Sequence, residues 1–137
     1  MDVTKVPFVE KIGIVRGADD ILRLPYNESM QNHLQTIHAG AQFVLAETAS
    51  GEALQKLFPE LVGKVIPVLR DSNIKYKKSA IKSITAHPAI TDDAVVKFKE
   101  QFEKKGRASI SVDVEIKDQD DFVTSAGIFN WFVQSIV

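Results

Sequence analysis

The clearest pattern along this chain is a strict alternation of apolar and polar positions over residues 109–116. Its apolar members are Ile110, Val112, Val114 and Ile116, which predicts a β-strand with one buried face. Other runs rich in β-branched and aromatic residues predict strands at residues 65–69, 72–86 and 122–133, and a hairpin from residues 8–15 and 21–25. The predicted breaks lie at residues 17–20, 70–71 and 87–88.

Two stretches carry helical patterns instead. Residues 38–51 are apolar around the helical circumference apart from one charged residue, and the helix that they begin is expected to run from residue 39 to about residue 58, before Pro59, with this stretch buried. A second helix is predicted between Thr91, a capping residue, and Gly106, a terminating one. Its apolar positions share one side, as in an amphipathic surface helix: Val95, Phe98 and Phe102. The polar residues 26–37 predict a loop laid across a site.

These elements predict an α+β fold in one domain spanning residues 1–137. A helix that is apolar all round must be covered on most sides, and a sheet curled around it is the economical way to do so. Most connections are too short for parallel crossovers, so the sheet is expected to be antiparallel. The expected architecture is a curled antiparallel sheet wrapped around a long central helix, with one additional amphipathic helix.

The charge and amino-acid composition argue against several classes of function. The formal net charge is -1, with 17 basic residues scattered among 18 acidic ones, so no basic field for nucleic acid is expected. There is no cysteine, and the three histidines are too far apart for local metal-ligand spacing, so no metal site is expected. No apolar run approaches the roughly 20 residues of a membrane helix, and the first residues lack a signal-peptide core. We expect a soluble, cytoplasmic protein.

One charged residue interrupts the apolar helix. In HAGAQFVLAETASG, residues 38–51, only Glu47 is charged, and burial disfavours an ionised carboxylate that has no partner. The alternatives are a carboxylate that reaches solvent at a dimer groove, or one paired with Arg70 or a lysine. His38, Ala39 and Gly40 open the same helix, where free N–H groups favour an anionic oxygen.

The stretch NHLQTIHAGAQFVLAET resembles hotdog-fold acyl-CoA thioesterases, especially the phenylacetic-acid-type enzymes and their uncharacterised relatives. The family pattern is an Asn, then His-Gly-Gly, then an acid in the helix; here these are Asn32, His38, Gly40 and Glu47. DSNIKYKKSA after the helix is similar to a family strand. Ala39 replaces the first glycine of the pair, and the helix after Thr91 lengthens a connection that is usually simpler.

The resemblance implies a set of roles. Glu47 is expected to be the nucleophile or the general base, and the backbone N–H of Ala39, beside Gly40, to polarise the thioester oxygen. Asn32 is expected to position water or the thioester. His38 is expected to brace the motif by a hydrogen bond, with a plain helix-start histidine as the alternative.

The same resemblance suggests substrate contacts. Phe43, one helical turn before Glu47, and Ser72 on the following strand are candidates for the pocket. The family often has an assisting Ser or Thr on that strand, and Leu69 stands at this place here. Lys75 and Lys77 belong to a basic cluster that is either a solvated strand face or a contact for coenzyme A phosphates.

The expected function is hydrolysis of an acyl thioester by a homodimer or dimer of dimers. Coenzyme A enters as part of the substrate, and no separate cofactor is expected. A non-catalytic acyl-ligand binding module on the same fold is the first alternative. A β-hydroxyacyl thioester dehydratase using His38 and Glu47 is the second, although the Pro-rich loop of such enzymes is missing.

Overall fold

The computed structural model describes residues 1–137. A six-stranded antiparallel sheet in the order β1-β2-β4-β5-β6-β3 curls around one long helix. The strands are β1 Val15–Arg16, β2 Leu22–Leu24, β3 Val65–Tyr76, β4 Ile84–Ala89, β5 Arg107–Asp118 and β6 Val123–Ser135. The helices are α1 Pro7–Ile12, α2 Ala39–Leu57 and α3 Asp92–Lys105, and single 3₁₀ turns span Val3–Lys5, Glu28–Met30 and Pro59–Leu61.

The central helix α2 lies against the inner face of the sheet. Leu45 and Ala46 are fully buried and Ala49 nearly so, because small and aliphatic side chains let the helix approach the strands closely. On β5 every second residue is buried from Ala108 to Ile116, so the alternation in the sequence is the inward face of this strand. The predicted long central helix and the predicted strand at residues 109–116 are both present.

The helix α3 covers a sheet edge that β4 leaves open. β4 pairs with β5 only from Asp113 onward, and α3 packs beside β5, whose first half has no strand on that side. Phe98 of α3 is 1% exposed and its ring centroid lies 4.7 Å from that of Phe58. The Thr91 side chain accepts a hydrogen bond from the Ala94 N–H at 3.1 Å, and Gly106 ends α3 with φ 69°.

The predicted strand at residues 8–15 is wrong. Pro7 starts a short helix at its first position, where the missing N–H costs nothing, and Gly13 ends it in the left-handed region with φ 95°. Only Val15 and Arg16 are extended and pair with β2. A few apolar residues in so short a segment do not distinguish a strand from one turn and a half of helix.

The predicted breaks around the third strand also differ. β3 runs through Arg70 and Asp71 as a β-bulge, because Leu69 pairs with Trp131 and Asp71 with Asn130. The residues after Tyr76 then leave the sheet until Ile84. β4 continues through residues 87–88, because its pairing with β2 ends at Thr85 and a proline there disturbs no strand on that side.

Candidate functional site

Glu47 lies on the third turn of α2 with its carboxyl group free of protein partners. It forms no ion pair and its side chain accepts no hydrogen bond. Burial alone raises the pKa of Glu47 above its usual value. Arg70, the partner considered from the sequence, instead stacks over the Phe132 ring at 4.3 Å. Nothing in the chain compensates the charge of this carboxylate.

Glu47 faces an elongated apolar cavity of about 740 Å³. Fourteen of the twenty lining residues are hydrophobic, and Glu47 is the one charged side chain among them. Cavities of about 300–1,000 Å³ with few polar groups are typical of sites for small organic ligands. The arrangement therefore places a single proton-accepting group against a volume suited to an apolar ligand.

The start of α2 offers one free backbone donor. The Gly40 N–H donates to Nδ1 of His38 at 2.8 Å, and the N–H groups of Ala41 and Gln42 donate to the His38 carbonyl oxygen. The Ala39 N–H has no acceptor, and Ala39 is exposed. An oxyanion at this helix terminus would therefore meet the N–H of Ala39, while that of Gly40 is already used.

The free N–H and the carboxylate are far apart within one chain. Glu47 follows Ala39 by eight residues, which at about 1.5 Å per residue separates the two by roughly 12 Å along the helix axis. A carbonyl oxygen bound at Ala39 therefore has its carbon out of reach of Glu47 in the same chain.

His38 and Asn32 are engaged in building the loop that leads into α2. His38 caps the helix through Nδ1, and its N–H donates to the Met30 carbonyl at 2.8 Å. Asn32 accepts from the N–H groups of Leu34 and Thr36 and donates to the Thr36 hydroxyl at 2.8 Å. Apart from the contact between Asn32 and the Thr36 hydroxyl, these hydrogen bonds hold the backbone, so the geometry accounts for both side chains without a ligand.

The remaining predicted residues are divided between the two faces of the sheet. Ser72 pairs directly with Phe129, whose ring centroid lies 5.6 Å from that of Phe43, so Ser72 is on the face towards α2. The bulge at Arg70 also leaves Leu69 on this face. Lys75 pairs with Ala126 on the opposite face, and Lys77 follows the strand; both lysines are exposed.

Gln42 is a buried polar residue that the sequence reasoning missed. Its side-chain oxygen accepts hydrogen bonds from the hydroxyls of Thr124 at 2.9 Å and Ser125 at 2.8 Å, joining α2 to β6. Gln42 is 3% exposed. A single amide in an otherwise apolar run was the available signal, because a buried amide requires partners.

The sheet and helix match known hotdog-fold structures. PA5026 from Pseudomonas aeruginosa, described as a probable thioesterase, superposes with a TM-score of 0.80 at 19% identity over 97% of this chain and 91% of that one. The thioesterase HI1161 from Haemophilus influenzae gives 0.78 at 16% identity over 98% and 87%. BH2602 from Bacillus halodurans, crystallised with CoA, gives 0.71 at 22% identity over 92% and 74%.

The fold class is therefore α+β with the hotdog architecture, as the resemblance implied. Residues 4–133 match the profile of the family described as a domain of unknown function, DUF4442, and the chain belongs to this family. No curated protein matches the sequence. None of the helices combines the length and apolar character needed to cross a membrane.

Proposed function

We propose that this protein hydrolyses acyl-CoA thioesters, with Glu47 as the general base or nucleophile. The observation that carries the proposal is an unpaired carboxylate, with a pKa raised by burial, at an apolar cavity. A carboxylate with a raised pKa is a stronger proton acceptor once ionised, which suits activation of water. The thioesterase descriptions of PA5026 and HI1161 and the CoA bound to BH2602 support the same chemistry.

The reaction needs a donor for the carbonyl oxygen and a carboxylate near the carbonyl carbon. The free N–H of Ala39 supplies the donor at the positive end of α2. As general base, Glu47 takes a proton from water, whose oxygen bonds to the carbonyl carbon while the C–S bond breaks, and the proton passes to the leaving thiolate. As nucleophile, Glu47 bonds to the carbonyl carbon and expels the thiolate, and water then hydrolyses the resulting anhydride to release the acid and free Glu47. Coenzyme A is part of the substrate in this scheme, and no separate cofactor takes part.

The separation of roughly 12 Å between Ala39 and Glu47 implies that two chains build one site. In a symmetric dimer with antiparallel α2 helices, Glu47 of one copy lies towards the Ala39 end of the other. The strand β3 supports such pairing, because it joins β6 on one side only and exposes Ile66 and Val68. We therefore include a homodimer, or a dimer of dimers, in the proposal.

The other predicted residues receive supporting roles. His38 and Asn32 hold the backbone that presents the Ala39 N–H. Phe43 and Ser72 are proposed to contact the substrate on the face of the sheet towards α2, outside the lining of the cavity that Glu47 borders. Lys75, on the outer face of the sheet, and its exposed neighbour Lys77 are the proposed contacts for the phosphates of coenzyme A. Such contacts are exposed and are expected to contribute little affinity each.

The test is turnover of a panel of acyl-CoA esters by the wild type and by Glu47→Gln. Removal of a general base is expected to lower kcat by about 10²–10⁴-fold. Glu100→Gln, which changes an exposed acid on α3, is the matched control and is expected to leave kcat unchanged. Absence of hydrolysis by the wild type, or equal rates for the wild type and Glu47→Gln, contradicts the proposal.

A non-catalytic acyl-ligand binding module is the second candidate. It is favoured by the absence, within one chain, of any side chain that contacts the Glu47 carboxyl or assists it in proton transfer. Thermal stabilisation by coenzyme A thioesters without any turnover is the result that this candidate predicts.

A further inference from the structure

The cavity beside Glu47 extends along most of α2. Its lining residues on and just after this helix run from Val44 to Phe58, a distance of about 21 Å at 1.5 Å per residue. Glu47 is near the first end. At the other end the cavity is lined by side chains that are all hydrophobic: Phe58, Leu61, Val62 and Phe98.

Residues outside the hotdog core form one wall of this cavity. We call them the amino-terminal wall: Val3, Val6, Phe8 and Val9. Val3 and Val9 are 5% and 6% exposed and hold the segment against the core, whereas Phe8 is 61% exposed. An aromatic ring that is mostly exposed and still borders the cavity is positioned to cover a ligand.

One ion pair, at Asp2, links the segment that carries this wall to the central helix through Arg16. Arg16 lies 3.8 Å from Asp2 and also pairs with Glu52 of α2 and, at 3.0 Å, with Asp20. The hydrogen bonds that the Arg16 guanidinium donates to Glu52 are the main cause of the raised pKa of Arg16. Lys56 closes the network by contacting Asp20 at 2.8 Å. The wall is therefore part of the folded site and not a loose extension.

The cavity has few polar groups besides Glu47. These are Thr48, which donates to the Val44 carbonyl at 2.6 Å, and Gln55, whose side-chain oxygen accepts from the Met1 amino group at 3.1 Å. The distal end has none. A ligand that fills this volume is therefore long, because the cavity follows about 21 Å of α2, and it is apolar at the Phe58 end.

We infer that the cavity binds a linear aliphatic acyl chain that runs from Glu47 towards Phe58, and that Phe8 and Val62 set the preferred chain length. The direction of the chain rests on the proposed function, because the thioester carbonyl is placed at Glu47. The amino-terminal wall then covers the middle of the chain, and Val62 limits its far end.

The first test measures kcat/KM for butanoyl-, octanoyl-, dodecanoyl- and hexadecanoyl-CoA. Each buried methylene contributes enough transfer free energy to raise kcat/KM by about fourfold, until the cavity is full.

Val62→Phe is expected to move the optimum to a shorter chain. Val15→Phe is the matched control, since both valines are 44% exposed and only Val62 borders the cavity. Phe8→Ala is expected to lower kcat/KM for dodecanoyl-CoA by a larger factor than for butanoyl-CoA.

A binding test separates this inference from the proposed hydrolysis. Trp131 is the only tryptophan and lines the cavity, with its indole N–H donating to the Ser50 hydroxyl at 2.9 Å, so its fluorescence reports occupancy. The probes are non-hydrolysable alkyl thioethers of coenzyme A with the same chain lengths. Affinity that rises with chain length and falls for the longest probe in Val62→Phe supports the inference, even if the wild type hydrolyses nothing. Turnover and affinity that are independent of chain length, or equal effects of Val62→Phe and Val15→Phe, overturn it while leaving hydrolysis intact.

Discussion

At the scale of single residues, Glu47 stands out because burial raises the pKa of its carboxyl group without any compensating partner. A folded state that raises the pKa of an acid holds the proton more tightly than the unfolded chain does. The favourable contribution is complete below the usual value of 4.5 and is lost as the pH rises through the raised pKa. At neutral pH the ionised carboxylate therefore lowers the free energy of unfolding.

Because ionisation of Glu47 lowers the free energy of unfolding, replacing it with an uncharged residue is expected to stabilise the protein at high pH and not at low pH. Glu47→Gln is expected to have a melting temperature a few degrees above that of the wild type at pH 8 and close to it at pH 4. Thermal unfolding followed by circular dichroism across this range measures the difference. For hydrolysis the ionised form is needed, so kcat/KM is expected to rise with pH through the same raised pKa. A constant difference in melting temperature across the range contradicts this account.

The role of the Ala39 N–H can be tested with little change to the fold. Ala39 is the first residue of α2, where proline is favoured, and His38 already has the extended ψ of 138° that proline requires before it. Ala39→Pro removes the free donor and is expected to lower kcat by about 10²–10³-fold. Asp92→Pro makes the same change at the first residue of α3 and is expected to leave kcat unchanged. Unaltered kcat in Ala39→Pro excludes the donor role.

Among the helices and strands, those with caps or a periodic pattern of apolar residues are predicted from the sequence. Features that depend on pairing with a neighbouring strand are not. The ends of α2 and α3 follow from their caps, and β5 follows from its alternation. α1 was misread because its six residues are too few to show a helical period. The bulge that turns both Leu69 and Ser72 towards α2 depends on the register with β6, which no local pattern specifies.

In the candidate site, too, local features are predicted from the sequence and features that depend on tertiary packing are not. Glu47 was found because a charge in an apolar helix is visible in the sequence alone. The cavity cannot be predicted from the sequence, because residues of α1, α2, β3 and β6 line it together. The sequence also predicts a strand where α1 forms, so the part of the lining that α1 supplies is missed. The hydrogen bonds of Asn32 and His38 also became visible only when the loop between Met30 and Ala39 was folded.

His38 gives a prediction at the junction between loop and helix. His38→Ala removes the acceptor for the Gly40 N–H and is expected to cost about 1 kcal/mol of the free energy of unfolding. His38→Asn keeps an N-cap acceptor and is expected to restore most of this stability. Urea unfolding measures both variants, and kcat measured on the same samples separates the roles. A large loss of kcat in a stable His38→Asn variant shows that the imidazole does more than cap the helix.

At the scale of the whole molecule, the hotdog core and the site have different requirements. One chain completes the sheet around α2 and forms the apolar cavity, but it keeps the free N–H of Ala39 roughly 12 Å from Glu47 along the helix axis. The exposed edge of β3 and the unpaired carboxylate are both explained if a second copy covers them. Catalysis is then a property of the dimer, while acyl chain recognition belongs to each chain.

A heterodimer of two inactive variants tests whether the site is shared. Ala39→Pro and Glu47→Gln each retain at most about a hundredth of the wild-type kcat as homodimers, because each loses one component of both sites. In the heterodimer, one site combines both defects, and the other combines an intact Ala39 N–H with an intact Glu47. Heterodimers isolated through two different affinity tags are therefore expected to recover about half of the wild-type activity per dimer. If each site were built within one chain, every site would keep a defect and the heterodimer would stay inactive.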